Sequence, residues 1–329
     1  MQVSTKKRLI LLSGEANHTL AEEIADHLGM KLGVVEAATF ANSETYARLA
    51  ESVRGADAFV IQSICEPVDH FIMQQLILID ALKRASAKRI TAVCPLYPYS
   101  RQDRKARGRE PITAKLMADI YEAAGVDRMV SVDLHSGQIQ GFFDVPFDHL
   151  TAMPVLAGYF ENLLDGDFVI VSPDPGGVRL ADKWVQHLAE EHDLHGQVAF
   201  LHKRRRKDMR NVSETKTVVG EVKDKICVVV DDMIDTAGTL VNGSDLLVEA
   251  GATKVYAAAT HGILSGPAID RIKNSQIEQV VVTNTLPLSS DKQIDKITTL
   301  SIAPLVADTI QAVFEEDSVS NLFHGKNEP

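Results

Sequence analysis

Residues 226–239 read ICVVVDDMIDTAGT, and this stretch decides the fold. Residues 226–230 form an unbroken, mostly β-branched run, which suits a strand buried on both faces of a parallel sheet. The run is expected to stop at two adjacent carboxylates, Asp231 and Asp232. Asp235, Thr236, Ala237, Gly238 and Thr239 follow, all small or hydroxyl-bearing after the aspartate. A helical pattern comes next, with Leu240, Val241, Ser244, Leu247 and Val248 on one face and Gly251 placed to end it.

A tight small-residue turn between strand and helix leaves backbone N–H groups free at the positive end of the helix dipole, which makes an anion site suited to phosphate. Asp231 and Asp232 cannot hold phosphate themselves. They can accept hydrogen bonds from sugar hydroxyls, or from water around a divalent cation. Phosphate below and hydroxyls above describe a sugar phosphate. The plainer alternative is an acidic loop that merely caps a helix, which needs neither three aspartates nor so small a loop.

Outward from this motif, strands alternate with helices. Residues 9–12, 34–40, 58–62, 90–93 and 129–132 have extended patterns, with helical spacing over 19–28, 68–85 and 113–124. The second half repeats the plan: strands at 168–171, 198–201, 255–259 and 280–282, helices through Trp184 and Leu188, after Gly266 and Pro267, and over 304–314. The expected fold is α/β, two similar domains, each a mainly parallel sheet flanked by helices. The expected domains are residues 1–155 and 156–329, with function where they meet.

The 329 residues carry 34 Lys and Arg against 45 Asp and Glu, a net charge of −11. That balance argues against a nucleic-acid surface, while a local basic cluster can still hold anionic small substrates. Cys65, Cys94 and Cys227 lack metal-ligand spacing and read as small core residues in a reducing compartment. No apolar run approaches membrane-spanning length and no signal peptide opens the chain, so a soluble cytoplasmic protein is expected.

Other constellations are less specific. His135 follows a strand at residues 129–132, and Asp174 lies in the loop SPDPGG at 172–177. Histidine with a carboxylate can bind a divalent metal. Read singly, His135 is more often structural than a ligand, and Asp174 is ambiguous, since such loops often use Asp for turn chemistry. Gly176 and Gly177, opening a helix, form a second candidate anion cradle. Residues 97–105, YPYSRQDRK, mix aromatic and cationic side chains that could stack on a purine and fork onto phosphates, or only make a solvated basic loop. Phe40, Asn42, Ser43 and Glu44 frame an adenine or merely close a strand. Residues 202–207, HKRRRK, are either a solvated face or a lid whose cations neutralise phosphates.

Taken in order, SVDLHSGQIQGFFD, YPYSRQDRK, SPDPGG, HKRRRK, VVVDDMIDTAGT and THGILSGPAI resemble the ribose-phosphate pyrophosphokinases, within the type I phosphoribosyltransferase-like superfamily, over residues 8–323. No Walker-type GxxxxGK[ST] loop occurs, which disfavours a P-loop kinase. The resemblance implies transfer of the β,γ-diphosphoryl group of MgATP to the C1 hydroxyl of ribose 5-phosphate, giving phosphoribosyl pyrophosphate and AMP. By matching position it implies that Asp231, Asp235, Thr236, Ala237, Gly238 and Thr239, with Arg205, hold ribose 5-phosphate. It implies Mg2+ at His135 and Asp174. It implies ATP at Phe40, Asn42, Ser43, Glu44, Arg101, Gln102, Asp103 and His135, and a catalytic pair, Lys203 and Arg205. It further implies a homo-oligomer, a hexamer built from dimers, and a phosphate or ADP regulatory site at Ser52, Arg54, Ser86, Arg107, Ser318 and Ser320. Two other readings are a non-catalytic regulatory homologue and a phosphoribosyltransferase.

Overall fold

The structure, a computed structural model, describes residues 7–164, 166–204 and 215–320. The chain divides into two compact units: residues 1–151, 285–287 and 301–329 form the first, and 152–284 with 288–300 the second. The last stretch therefore joins the first unit rather than the second, unlike the division at 155/156 expected from the sequence.

Unit 1 opens with β1 (Leu9–Ser13), α1 (His18–His27), and an antiparallel hairpin of β2 (Val35–Thr39) and β3 (Thr45–Leu49). There follow β4 (Asp57–Ile61), α2 (Val68–Arg84), β5 (Arg89–Val93), α3 (Thr113–Ala124), β6 (Arg128–Val132) and β7 (Phe147–Leu150). The main sheet is parallel throughout, in the order β1-β4-β5-β6-β7. Strand β4 is buried at every position, as a central parallel strand must be when helices cover both faces. Ile72, Leu76, Leu78, Ile79 and Leu82 of α2 pack with Ile10, Leu12, Val60 and Ala92 of the sheet.

Unit 2 contains α4 (Met153–Phe160), β8 (Phe168–Ser172), α5 (Val178–His192), β9 (Gln197–Arg204), β10 (Thr215–Val219) and β11 (Ile226–Ile234). It continues with α6 (Gly238–Glu249), β12 (Lys254–Gly262), α7 (Ala268–Lys273), β13 (Gln279–Thr283) and β14 (Ile297–Leu300). Its seven strands run β10-β9-β8-β11-β12-β13-β14, all parallel except the β10–β9 pair. From β8 the chain steps outward to β9, and from β11 it steps the other way to β12. The sheet's topological switch point thus falls between β8 and β11, where open α/β sheets bind their ligands.

The final helix, α8 (Ala303–Glu315), packs on α1 in unit 1. Ser301 Oγ donates to Glu23 Oε2 at 2.5 Å, and His27 Nε2 lies 3.2 Å from Asp308 Oδ1. Lys7 pairs with Glu316 at 3.0 Å. Among the described residues, no helix is long and apolar enough to cross a membrane.

Two local expectations change. Strand β11 does not stop at Asp231 and Asp232 but runs to Ile234, because β12 continues to pair with it as far as Ile234 opposite Gly262. On α6, Leu240, Ser244 and Leu247 are buried, but Val248 is exposed.

Candidate functional site

In unit 2 the motif residues gather at the carboxyl edge of the sheet. Strand β8 pairs with β11 only from Ile226 to Val229, whereas β12 follows β11 five residues further. Asp231 and Asp232 therefore stand where β11 has lost its β8 neighbour, at the switch point. Asp231 Oδ1 accepts a hydrogen bond from Asp232 N at 2.9 Å. Burial pushes the Asp231 carboxyl up to about 8, and the nearby charges of Asp232 and Asp174 add to the effect.

The turn after β11 closes on Ala237, which caps α6 in the left-handed region at φ 56. Val241 N donates to the Ala237 carbonyl at 3.0 Å, the first bond of the helix. Thr236 and Thr239 are exposed on either side, and the first-turn N–H groups of α6 face outward at its positive end. Ser265 Oγ donates to Asp235 Oδ1, and Arg271 Nη1 donates to the Thr236 carbonyl at 2.8 Å. Sequence reasoning missed both braces. The only signal was the segment THGILSGPAI, which contains Ser265 but says nothing of what it touches.

Asp174 follows β8, across the switch point from Asp231. Its Oδ1 accepts hydrogen bonds from Gly176 N at 2.7 Å and Gly177 N at 3.2 Å. The second anion cradle expected at Gly176 and Gly177 is therefore closed: the Asp174 side chain occupies those amides. Gly177 is required for space, since a Cβ there would stand 2.6 Å from Ser172 Oγ.

Unit 1 carries the remaining motifs on a hairpin tip and on two loops of its main sheet. Phe40, Asn42, Ser43 and Glu44 form the tip of the β2–β3 hairpin, with Phe40 N bonded to Glu44 O at 2.8 Å and Ser43 at φ 71. Phe40 is 54% exposed and meets Tyr46 edge to face with ring centroids 5.9 Å apart. An aromatic ring this exposed is available to stack on a planar ligand. Arg101 and Gln102 lie in the single 3-10 turn after β5, with Asp103 as its cap, and His135 lies just past β6. These last loops share the carboxyl edge of the sheet, tied by Ser131 Oγ to the Pro95 carbonyl at 3.2 Å. Leu134 N donates to His149 Nε2 at 2.9 Å, which orders the backbone next to the exposed His135. Asp133, two residues before His135, takes φ 38 and Tyr99, two before Arg101, takes φ 55. Such backbone conformations are costly for non-glycine residues and collect at functional loops.

Ser52, Arg54 and Ser86 lie at the opposite, amino edge of this sheet. Arg8 Nη1 donates to the Ser52 carbonyl at 2.7 Å, and Gly55 N to the Ser86 carbonyl at 2.8 Å. Glu316, two residues before Ser318, reaches this edge through Lys7 and through Arg89 at 3.7 Å, and Ser320 follows on the same segment. Arg107 is not brought there: it follows β5 at the carboxyl edge, its N bonded to Glu110 Oε2 at 2.8 Å. Lys203 lies on β9, opposite Lys216 of β10. Arg205, with Arg206 and Lys207 of the same run, lies outside the described residues.

Comparison with known proteins follows from this geometry. A model described as the N-terminal domain of ribose phosphate pyrophosphokinase matches residues 9–125, and one described as the phosphoribosyl synthetase-associated domain matches residues 207–324. The chain is 51% identical over 324 residues to a ribose-phosphate pyrophosphokinase of Streptomyces coelicolor, covering 98% of each chain. It is 50% identical to one from Clostridium acetobutylicum, covering 96% of this chain and 98% of that one. The crystal structure of a phosphoribosylpyrophosphate synthetase from Mycobacterium smegmatis superposes with a TM-score of 0.88 at 51% identity, over 94% of this chain and all of that one.

Proposed function

The chain belongs to the ribose-phosphate pyrophosphokinase family, and from this we propose how its residues carry out diphosphoryl transfer from MgATP to the C1 hydroxyl of ribose 5-phosphate. The observation that carries the reading is the pairing, at one switch point, of a helix start in a small-residue turn with carboxylates on the strand just before it. Thr236 to Thr239 cradle the 5-phosphate, with the α6 N–H groups and its dipole supplying the positive field. Asp231 and Asp235 accept hydrogen bonds from the ribose hydroxyls, and this orients the C1 hydroxyl for attack.

ATP takes the unit 1 motifs. Phe40 stacks on adenine, Asn42, Ser43 and Glu44 border it, and Arg101, Gln102 and Asp103 hold the nucleotide. Attack of the C1 oxygen on the β-phosphorus forms one P–O bond as the bond to the α-phosphate oxygen breaks. AMP leaves with that oxygen, and the hydroxyl proton passes to solvent or substrate phosphate. No protein nucleophile is needed. Charge grows on the phosphoryl oxygens, and Lys203 and Arg205 neutralise it.

His135 and Asp174 are the residues that would hold the magnesium ion. Among the described residues, no group of three or more His, Cys, Asp or Glu side chains forms a metal cage. That fits an ion which arrives with the nucleotide phosphates and needs few protein ligands. One Asp174 oxygen is engaged by Gly176 and Gly177, which fixes the carboxylate plane for such a role. When bound, the ion supplies charge neutralisation at the phosphates.

The protein works in the cytoplasm as a homo-oligomer, a hexamer in the family's pattern. Ser52, Arg54 and Ser86 stand one strand length, about 17 Å, from Arg107, so a regulatory site using all of them takes Arg107 from another copy of the chain. That site binds phosphate as activator and ADP as inhibitor.

A magnesium-dependent assay with ATP and ribose 5-phosphate, resolving AMP from ADP, tests the reading. AMP formed in step with phosphoribosyl pyrophosphate supports it. ADP formation would make the protein a simple kinase. Binding of ribose 5-phosphate without turnover would make it a regulatory homologue.

A further inference from the structure

Two side chains that follow β12 brace the sugar-phosphate loop of unit 2 from outside. Ser265 donates its N–H to the Asp235 carbonyl at 3.0 Å and its hydroxyl to the Asp235 carboxylate. Arg271, on α7, donates from Nη1 to the Thr236 carbonyl at 2.8 Å. The next residue, Ala237, holds φ 56, a left-handed conformation that alanine keeps only under constraint. A trans peptide points its C=O and N–H in opposite directions. By fixing the Thr236 oxygen, Arg271 therefore also fixes where the Ala237 N–H points. If Ala237 relaxed to the right-handed region, the 236–237 peptide would rotate and that N–H would leave the cradle. The guanidinium lies close over the helix start: a Cβ on Gly238 would stand 3.1 Å from Arg271 Nη1.

We infer that Arg271 is a positioning residue for ribose 5-phosphate, holding the Thr236–Ala237 peptide so that its N–H faces the 5-phosphate. The inference rests on the assignment of residues 235–239 to that phosphate. Arg271 acts through the loop and not at the β-phosphorus, so it governs KM for ribose 5-phosphate and leaves kcat and KM for ATP nearly untouched. Lysine at 271 retains a donor but lacks the planar fork that fixes its direction. Glycine adopts positive φ freely, so Ala237→Gly lessens what Arg271 must supply.

Initial rates on the full-length enzyme, with ribose 5-phosphate and MgATP each varied, test this for wild type, R271A, R271K, A237G and R271A/A237G. R271A is expected to raise KM for ribose 5-phosphate about tenfold, or about 1.4 kcal/mol, with kcat and KM for ATP changed less than about twofold, and R271K to fall between. The double variant is expected to recover to within about threefold of A237G alone. A glycine at 237 cannot restore a damaged α7, so this recovery separates positioning from a merely structural role. An unchanged KM in R271A, or a rise that persists in full in the double variant, overturns the inference. Failure of the underlying assignment reads differently: Asp235→Ala would then also leave KM for ribose 5-phosphate unchanged.

Discussion

Asp231 shows how a single residue ties stability to the site. Its folded-state carboxyl is raised to about 8 by burial and by its acidic neighbours, so in the substrate-free protein it favours the protonated form. Below the ordinary aspartate range both folded and unfolded states hold that proton, and the residue costs nothing. As pH rises toward 8 the unfolded chain ionises freely while the folded one resists, and stability falls. Asp231→Asn should therefore raise the melting temperature of the ligand-free protein at pH 8 and leave it unchanged near pH 4; thermal melts at the two pH values check this. The same substitution should weaken ribose 5-phosphate binding. In the proposed mechanism Lys203 and Arg205 stabilise transition-state charge, so Lys203→Ala and Arg205→Ala should each lower turnover by on the order of 10²-fold with the fold retained; steady-state rates beside a circular dichroism spectrum decide it. The strand, turn and helix around Asp231 are legible in the sequence because acid, small residue and hydroxyl are adjacent in the chain. Arg271 and Ser265 were illegible, because a brace is defined by what it touches some thirty residues away.

At the scale of elements, the strands that periodicity finds are the buried parallel ones, such as β4 and the first half of β11, whose apolar runs are unbroken. Strands β3, β7 and β14 are short and half-exposed, so their alternation barely rises above loop composition. The length of β11 was hidden for another reason. Two aspartates look like a strand end, yet pairing with β12 carries the backbone through them. The start of unit 1's sheet depends on a different device. Arg89 at the head of β5 grips Asp57 at the head of β4 through two bonds, at 2.9 and 2.6 Å, and Asp57 is 3% exposed. Asp57→Ala should destabilise unit 1 by about 2 kcal/mol, less than a fully buried pair costs because water reaches Arg89. Urea unfolding followed by hydrogen exchange of β4 and β5 amides is the measurement. Gly238→Ala should reproduce part of the Arg271→Ala effect on KM for ribose 5-phosphate, by pressing the guanidinium off Thr236.

At the scale of the whole molecule, the repeated βα plan of the two halves was readable, because strand and helix periods alternate twice along the chain. The return of the chain was not. Nothing in the amphipathic pattern of 303–315 says whether its apolar face meets the nearest sheet in sequence or the helix α1, nearly three hundred residues earlier. Val306, Ala307, Ile310 and Val313 are buried in that helix, so a chain cut after Leu300 should leave unit 1 with an uncovered α1. Limited proteolysis of the truncated protein should then cut unit 1 first, while the β8–β14 region resists. The same closure has a consequence for biosynthesis. A ribosome making this protein releases β1 to β7 before the strands of unit 2, but their partner α8 only after β14. Unit 1 is thus begun before unit 2 and finished after it, and while unit 2 is made it must wait with α1 bare, within reach of chaperones.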